Sequence, residues 1–326
     1  MLSSELRRLT VALAITCALV AAPNAQAQQQ ANGFGVERFS QSAPGAGWWV
    51  MDDLELRGGL GGAVALTLGA AGNPYRVTDG TQHLAVVSNQ SFIAIGGSIT
   101  YDRWRFYLDL SAPLVVSGES GTVGAYTFIG PSVNPGSSPD VLSDARLGVD
   151  VRIYGAAGGR FRFGMGAQLF VPFGNRGEYE SDGTFRGAAR MLVAGDVGHF
   201  TYAAHLGVHI RPLDDAGPGA PKGSELLFGG AVGARLALGE RKSWALIFGP
   251  EIFGASAFRL FFGRSTTALE GLLSARVEGR YGDKVRLRVK LGVGTGLYQH
   301  FGAPDWRVVA GIELWKVQPR GDPERR

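Results

Sequence analysis

The stretch Phe92–Leu110, FIAIGGSITYDRWRFYLDL, decides the fold. Ile93, Ile95, Ile99 and Tyr101 fall at period two, with Ala94, Gly96, Ser98 and Thr100 between them. That alternation is the period of a β-strand with two unlike faces. After a tight turn centred on Asp102, Trp104, Phe106, Leu108 and Leu110 continue the apolar face, and Arg103, Arg105, Tyr107 and Asp109 take the other. A slip of one residue would put arginines where isoleucines belong, so the register is strongly specified. Each arm has about the ten residues that a tilted strand needs to cross a bilayer.

The pattern returns along the chain. Leu147, Val149, Val151 and Ile153 alternate with Arg146, Asp150 and Arg152. Phe161, Phe163, Met165, Ala167, Leu169 and Val171 alternate with Arg160, Arg162 and Gln168. Leu287, Val289, Leu291 and Val293 alternate with Arg286, Arg288 and Lys290. The last such segment sets Trp306, Val308, Ala310, Ile312 and Leu314 against Arg307, Gly311, Glu313 and Trp315. Short links near 102, 156–159, 197–198, 239–242 and 282–284 alternate with long ones near 72–89, 115–143, 173–184, 212–223, 254–266 and 298–304. Short turns at one end and long loops at the other are the pattern of outer-membrane barrels. The segments predict an all-β fold, an antiparallel transmembrane β-barrel of about 12 strands.

A soluble sandwich also alternates, but its strands average about five or six residues and these segments run to about 11–15. One face carries large aliphatic and aromatic side chains suited to lipid, and the other mixes Arg, Asp, Glu, Gln and glycine. Tyr101, Trp104, Phe200, Tyr202, Trp244, Tyr281 and Trp306 are expected beside the short turns, where an aromatic girdle sits. The 50 glycines argue against a helical protein, since glycine weakens helix interiors. Mean hydropathy, at +0.05, lies far below that of a helical membrane bundle.

The beginning of the chain reads as a secretory signal. Arg7 and Arg8 precede an apolar run over Leu9–Ala22, and Ala25-Gln26-Ala27 supplies small residues for cleavage before Gln28. Cys17, the single cysteine, lies in that run, so a mature chain would have no disulfide, thiolate metal site or cysteine nucleophile. The expected divisions are a cleaved signal over 1–27, a periplasmic N-terminal segment over 28–56, the barrel over 57–316 and a polar tail over 317–326.

The runs GWWVMDDLELRGGLGGAVALTLG, SSPDVLSDARLG, SDGTFRG, GSELLFGGAVGARL and FGAPDWRVVAGIELW resemble the N-terminal barrel of OmpA-like outer-membrane proteins. The resemblance implies a transporter-like or porin-like barrel in the outer membrane of a Gram-negative cell. The peptidoglycan-binding domain of that family has no counterpart before Arg326, so anchoring to the wall is not carried over.

Motifs for chemistry are scarce. The sequence holds no HExxH, EF-hand loop, CxxC or GxSxG, and the glycines of 58–62 lie in a strand pattern that leads into no helix. His205 and His209 share a strand face, but four residues of strand separate them by about 13 Å, which suits lumen residues better than a metal pair. No catalytic residue, metal site or cofactor is expected, and the chain is not expected to be an enzyme. What stands out is charge on the face predicted to point inward: Arg103, Arg105, Asp109, Arg146, Asp150, Arg152, Arg160, Arg162, Arg186, Arg190, Glu270, Arg276, Glu278, Arg286, Arg288 and Lys290. Two readings compete. Ion-paired ladders could fill a narrow barrel, or the surplus of bases could favour anions in an aqueous passage. The leading expectation is a passive pore for small hydrophilic solutes, anionic ones included. The alternative is a plugged structural or adhesive barrel that works through its external loops. Expected partners are outer-membrane lipid, the barrel assembly machinery and small solutes. Nucleic acid is not among them despite a pI near 9.3, because the basic residues are spread at strand period and form no patch. The oligomeric state is not legible.

Overall fold

A computed structural model describes residues 29–316 apart from 139–140, 214–215, 218–219, 222, 240–242, 264, 282–284 and 299–301. The expected signal and polar tail lie outside the described residues. Twelve strands form the barrel: β1 Leu60–Thr78, β2 His83–Tyr101, β3 Trp104–Ser117, β4 Ala145–Tyr154, β5 Arg162–Val171 and β6 Arg186–Val197, then β7 Phe200–Ile210, β8 Glu225–Leu238, β9 Trp244–Ala257, β10 Thr267–Tyr281, β11 Val285–Tyr298 and β12 Trp306–Lys316. Each pairs antiparallel with the next, and β12 closes on β1 from Trp306↔Gly72 to Trp315↔Ala63. The strand number and the closure match the sequence reading.

The period-two sorting is realised in the expected sense. Ile95, Leu273 and Leu291 are about as exposed as side chains become in this fold, at 62%, 61% and 58%, while Arg105, Asp109, Arg146 and Asp150 between such positions are buried. Apolar groups therefore cover the outside and ionic groups the inside. Two details differ from expectation. The link near 72–89 is mostly strand, because β1 and β2 rise as a tall hairpin that buries Tyr75, Val77, Val86 and Val87 in an apolar cluster beneath the long loops. Trp306 begins β12 at the long-loop end, opposite Gly72, and not beside a short turn.

The main correction concerns the segment expected in the periplasm. Residues 34–56 run inside the barrel. Gln29 and Gln30 pair in parallel with Tyr126 and Thr127 in the long β3–β4 loop. At the other end, the Asp102 amide at the short β2–β3 turn donates to the Gly59 carbonyl at 3.1 Å. The segment thus enters at the long-loop end and leaves at the short-turn end. Its own composition gives the reason. Phe34, Val36, Phe39, Trp48, Trp49, Val50, Met51, Leu54 and Leu56 are all buried, and leaving them in water would forfeit their transfer free energy.

Midway the segment folds into a hairpin, with the Ser42 amide donating to the Trp49 carbonyl at 2.6 Å and the Asp53 amide to that of Ala46 at 3.0 Å. Gly45 and Gly47, at φ 88° and 92°, make the bend possible. The hairpin's aromatics lie against small residues of the wall, including Ala94, Ala194, Ala203 and Ala231. Inward glycines complete the fit: a Cβ on Gly233 would fall 2.6 Å from the Trp48 ring, and one on Gly292 2.8 Å from Trp49 Nε1. Gly233→Val and Gly292→Val are each expected to cost about 1–3 kcal/mol by overpacking, with a red shift in tryptophan emission during urea titration. Unchanged emission and midpoint would mean that the tryptophans lie elsewhere.

Candidate functional site

The site is the lumen together with the segment that threads it. At the long-loop end Arg211, on the chain leaving β7, gathers the structure around itself. Its Nε and Nη2 donate to Asp182 at 2.7 and 2.6 Å, and its Nη1 donates to Glu225 at 2.9 Å. Asp182 in turn accepts the Gly35 amide of the threading segment at 2.9 Å. Arg38 of the same segment donates to Glu225 at 2.8 Å.

Deeper, wall arginines take carboxylates from the segment. Arg307 of β12 holds Glu37 through both terminal nitrogens at 3.0 and 2.8 Å, and its Nε donates to Glu270 of β10 at 2.5 Å. Arg105 of β3 pairs with Asp52 and also with Asp150, the latter at 3.0 Å. Arg162 of β5 reaches Glu55 and Asp196, both at 2.8 Å. Exchange also runs the other way, because Glu251 of β9 accepts the amides of Trp49 and Val50, each at 2.9 Å. The Arg276 guanidinium lies over Trp48 at 4.6 Å and the Lys290 ammonium over Trp49 at 4.4 Å, within cation–π range.

Other wall charges pair among themselves. Arg146 binds Asp109 at 2.6 Å, Arg190 binds Asp150 at 3.3 Å, and Arg186 binds Asp144 at 2.7 Å. Arg288 bridges Glu278 at 2.9 Å and Glu313 at 2.6 Å, with Lys290 on Glu313 at 2.6 Å. Arg152 donates to the Leu54 carbonyl at 3.2 Å. Of the residues expected on the inner face, Arg103 and Arg160 instead sit exposed in short turns, where the strands have ended and no lumen wall remains. Arg286 is half-buried near the short-turn end. The inward charges expected from the sequence do not include Arg211 or Arg307, nor any partner in the threading segment, among them Glu37, Arg38, Asp52 and Glu55. Arg307 carried a usable signal, since it shares the inward register of Glu313. The segment's acids carried none, because nothing placed them indoors.

The hairpin divides the remaining space into two chambers. The one toward the long loops, about 190 Å³, has Phe39, Phe92 and Phe253 on one side and Arg146, Arg190 and Glu180 among its polar groups. The one toward the short turns, about 250 Å³, is lined by Glu55, Arg105, Arg162, Arg235, Arg286 and Arg288, among others. His205 and His209 both line the first chamber, and His209 Nδ1 stands 3.6 Å from Glu225.

The β5–β6 loop, residues 172–185, sets two acids into the mouth with opposite tendencies. Burial would raise Asp182, but the charges and hydrogen bonds of Arg211, with Arg186 beside it, hold the carboxyl well below the usual carboxylate range. Burial pushes Glu180 up to about 7. Hydrogen bonds from Ser143 and Gln90 offset this in part, whereas the charges of Glu37 and Asp144 add to it. The docked loop therefore keeps the Glu180 proton longer than the free chain, whose reference value is 4.5. Docking free energy from this group is complete below 4.5 and is lost as pH rises through about 7. Hydrogen exchange of residues 173–185 is expected to speed up across that window in the native protein and to stay flat in Glu180→Gln. An identical pH profile in the variant would assign the effect elsewhere.

The fold and lumen define a closed β-barrel with an internally threaded chain. No protein-family model matches the chain, and no curated protein matches it. Solved structures similar to it include an outer-membrane channel from Pseudomonas putida F1, at 14% identity over 80% of this chain and 96% of that one, with a TM-score of 0.48. The NanC porin is similar at 7% identity over 78% and 100%, with a TM-score of 0.46. A monoaromatic hydrocarbon channel, CymD, is similar at 10% identity over 82% and 91%, with a TM-score of 0.40. Each is a likeness of barrel architecture.

Proposed function

We propose that this chain is an outer-membrane channel for small anionic solutes, closed at rest by its own N-terminal segment, with the long loops outside the cell. The threaded lumen carries the reading, because the segment closes the passage with ion pairs, stacking and apolar packing alone. Filling a barrel permanently requires no buried charge, and apolar groups of equal volume would avoid the desolvation cost, which is several kcal/mol per ion. A wall that keeps arginines and carboxylates along its length is better suited to becoming wet. The segment neutralises Arg105, Arg162 and Arg307 through Asp52, Glu55 and Glu37. Its withdrawal leaves a lining with surplus positive potential, which favours anions. The resemblance to OmpA-like proteins enters only through the barrel that it implies, and the reading includes no enzymatic step.

The second reading, a plugged barrel that serves as scaffold or adhesin, is favoured by the depth of the same ion pairs. Planar-bilayer recording separates the two. The native protein is expected to open rarely. Asp52→Asn combined with Glu55→Gln removes the segment's partners of Arg105 and Arg162 and is expected to raise open probability severalfold, with reversal potentials displaced toward the anion. A silent bilayer for both proteins would leave the plugged scaffold standing.

A further inference from the structure

Glu37 stands apart from the other acids of the lumen. Its two oxygens lie 3.0 and 2.8 Å from the two terminal nitrogens of Arg307, the end-on fork by which a guanidinium grips a planar carboxylate. Arg307 is fully buried and fixed from behind by Glu270, a residue of the wall. The Glu37 side chain remains 25% exposed, and it borders the chamber toward the long loops. One partner in this contact belongs to the barrel wall and the other to the threading segment.

We propose that Arg307 forms a carboxylate-binding site that Glu37 occupies as an internal stand-in, and that a small monocarboxylic acid with an apolar body takes its place. The chamber fits such a body. Phe39, Phe92 and Phe253 form an apolar wall there, with ring centres 6.3 and 6.1 Å from that of Phe39. Its volume is about 190 Å³, and a cavity of about 150 Å³ holds a single benzene ring. The Phe39 ring also lies 5.1 Å from the Arg307 guanidinium, so the charged and apolar halves of the site adjoin. Charge selects a monoanion: Arg307 already faces Glu270, so replacing Glu37 one for one preserves the local balance, whereas a dianion would add repulsion.

The exchange reaches the threading segment directly. Glu37 Oε1 also accepts the Phe39 amide at 2.7 Å, so a ligand that displaces this carboxylate releases the turn that seats Phe39. This consequence for opening rests on the channel reading, and binding itself does not.

Calorimetric titration of the full chain in detergent micelles, with benzoate as the probe and benzyl alcohol as its uncharged counterpart, tests the site. An internal competitor acts as a high local concentration of ligand, so Glu37→Ala is expected to bind benzoate about tenfold more tightly than the native protein. Benzyl alcohol is expected to gain nothing, and adding Arg307→Lys, which keeps the charge but loses the fork, is expected to abolish the gain. Glu37→Gln, which preserves side-chain volume, is expected to give a smaller gain in the same direction and serves if the alanine variant does not fold. Equal benzoate affinity in native and Glu37 variants would overturn the proposal, as would an equal gain for benzyl alcohol or a gain that survives Arg307→Lys. Because titration needs no current, a failed binding result leaves the channel reading intact, and silent bilayers leave the binding result intact.

Discussion

Taking guanidinium groups out of water governs this molecule. A closed sheet with lipid-suited side chains outside must put its arginines inside, and an unpaired buried charge costs several kcal/mol. Twelve strands enclose more space than the wall's own acids fill. The chain meets the shortfall by passing its N-terminal segment through the barrel and presenting Glu37, Asp52 and Glu55 to Arg307, Arg105 and Arg162. The tryptophans of that segment then need room, which the inward alanines and glycines leave. Barrel and segment are therefore two halves of one core, polar where the acids reach and apolar where the rings pack.

The barrel was legible because its signal is local. Ile93 and Ile95 against Ala94, or Leu287 and Val289 against Arg288, declare face and register within a few residues, and turn lengths supply the rest. The threading segment has no such period. Between Phe34 and Leu56 its apolar residues follow the shape of the lumen, which is set by strands up to 270 positions away, as the Glu37–Arg307 pair shows. The same gap hid the site. Arg307 could be placed on the inner face by its register with Glu313, but its partner could not. Arg103 and Arg160 were misplaced for the opposite reason: the alternation ran on in sequence past the point where the strands end.

The arrangement ties closure to recognition. In the proposed channel, a carboxylate that holds the segment in place would also compete with any carboxylate arriving at the same arginine, so the strength of closure and the affinity for a solute would draw on one contact. Glu180, with its elevated carboxyl in the loop over the same chamber, adds a dependence on pH at the mouth. The two effects meet at Glu37, whose charge also bears on Glu180.

The chain enters its own barrel from the long-loop end, and impermeant maleimide labelling of intact cells reads that direction. In a Cys17→Ser background, single cysteines replace Gln30, Thr81 in the β1–β2 connection, and Lys316 at the last barrel residue. The threaded account predicts that Gln30→Cys labels together with Thr81→Cys, and that Lys316→Cys labels only after the outer membrane is permeabilised. Labelling of Gln30→Cys in step with Lys316→Cys would contradict it.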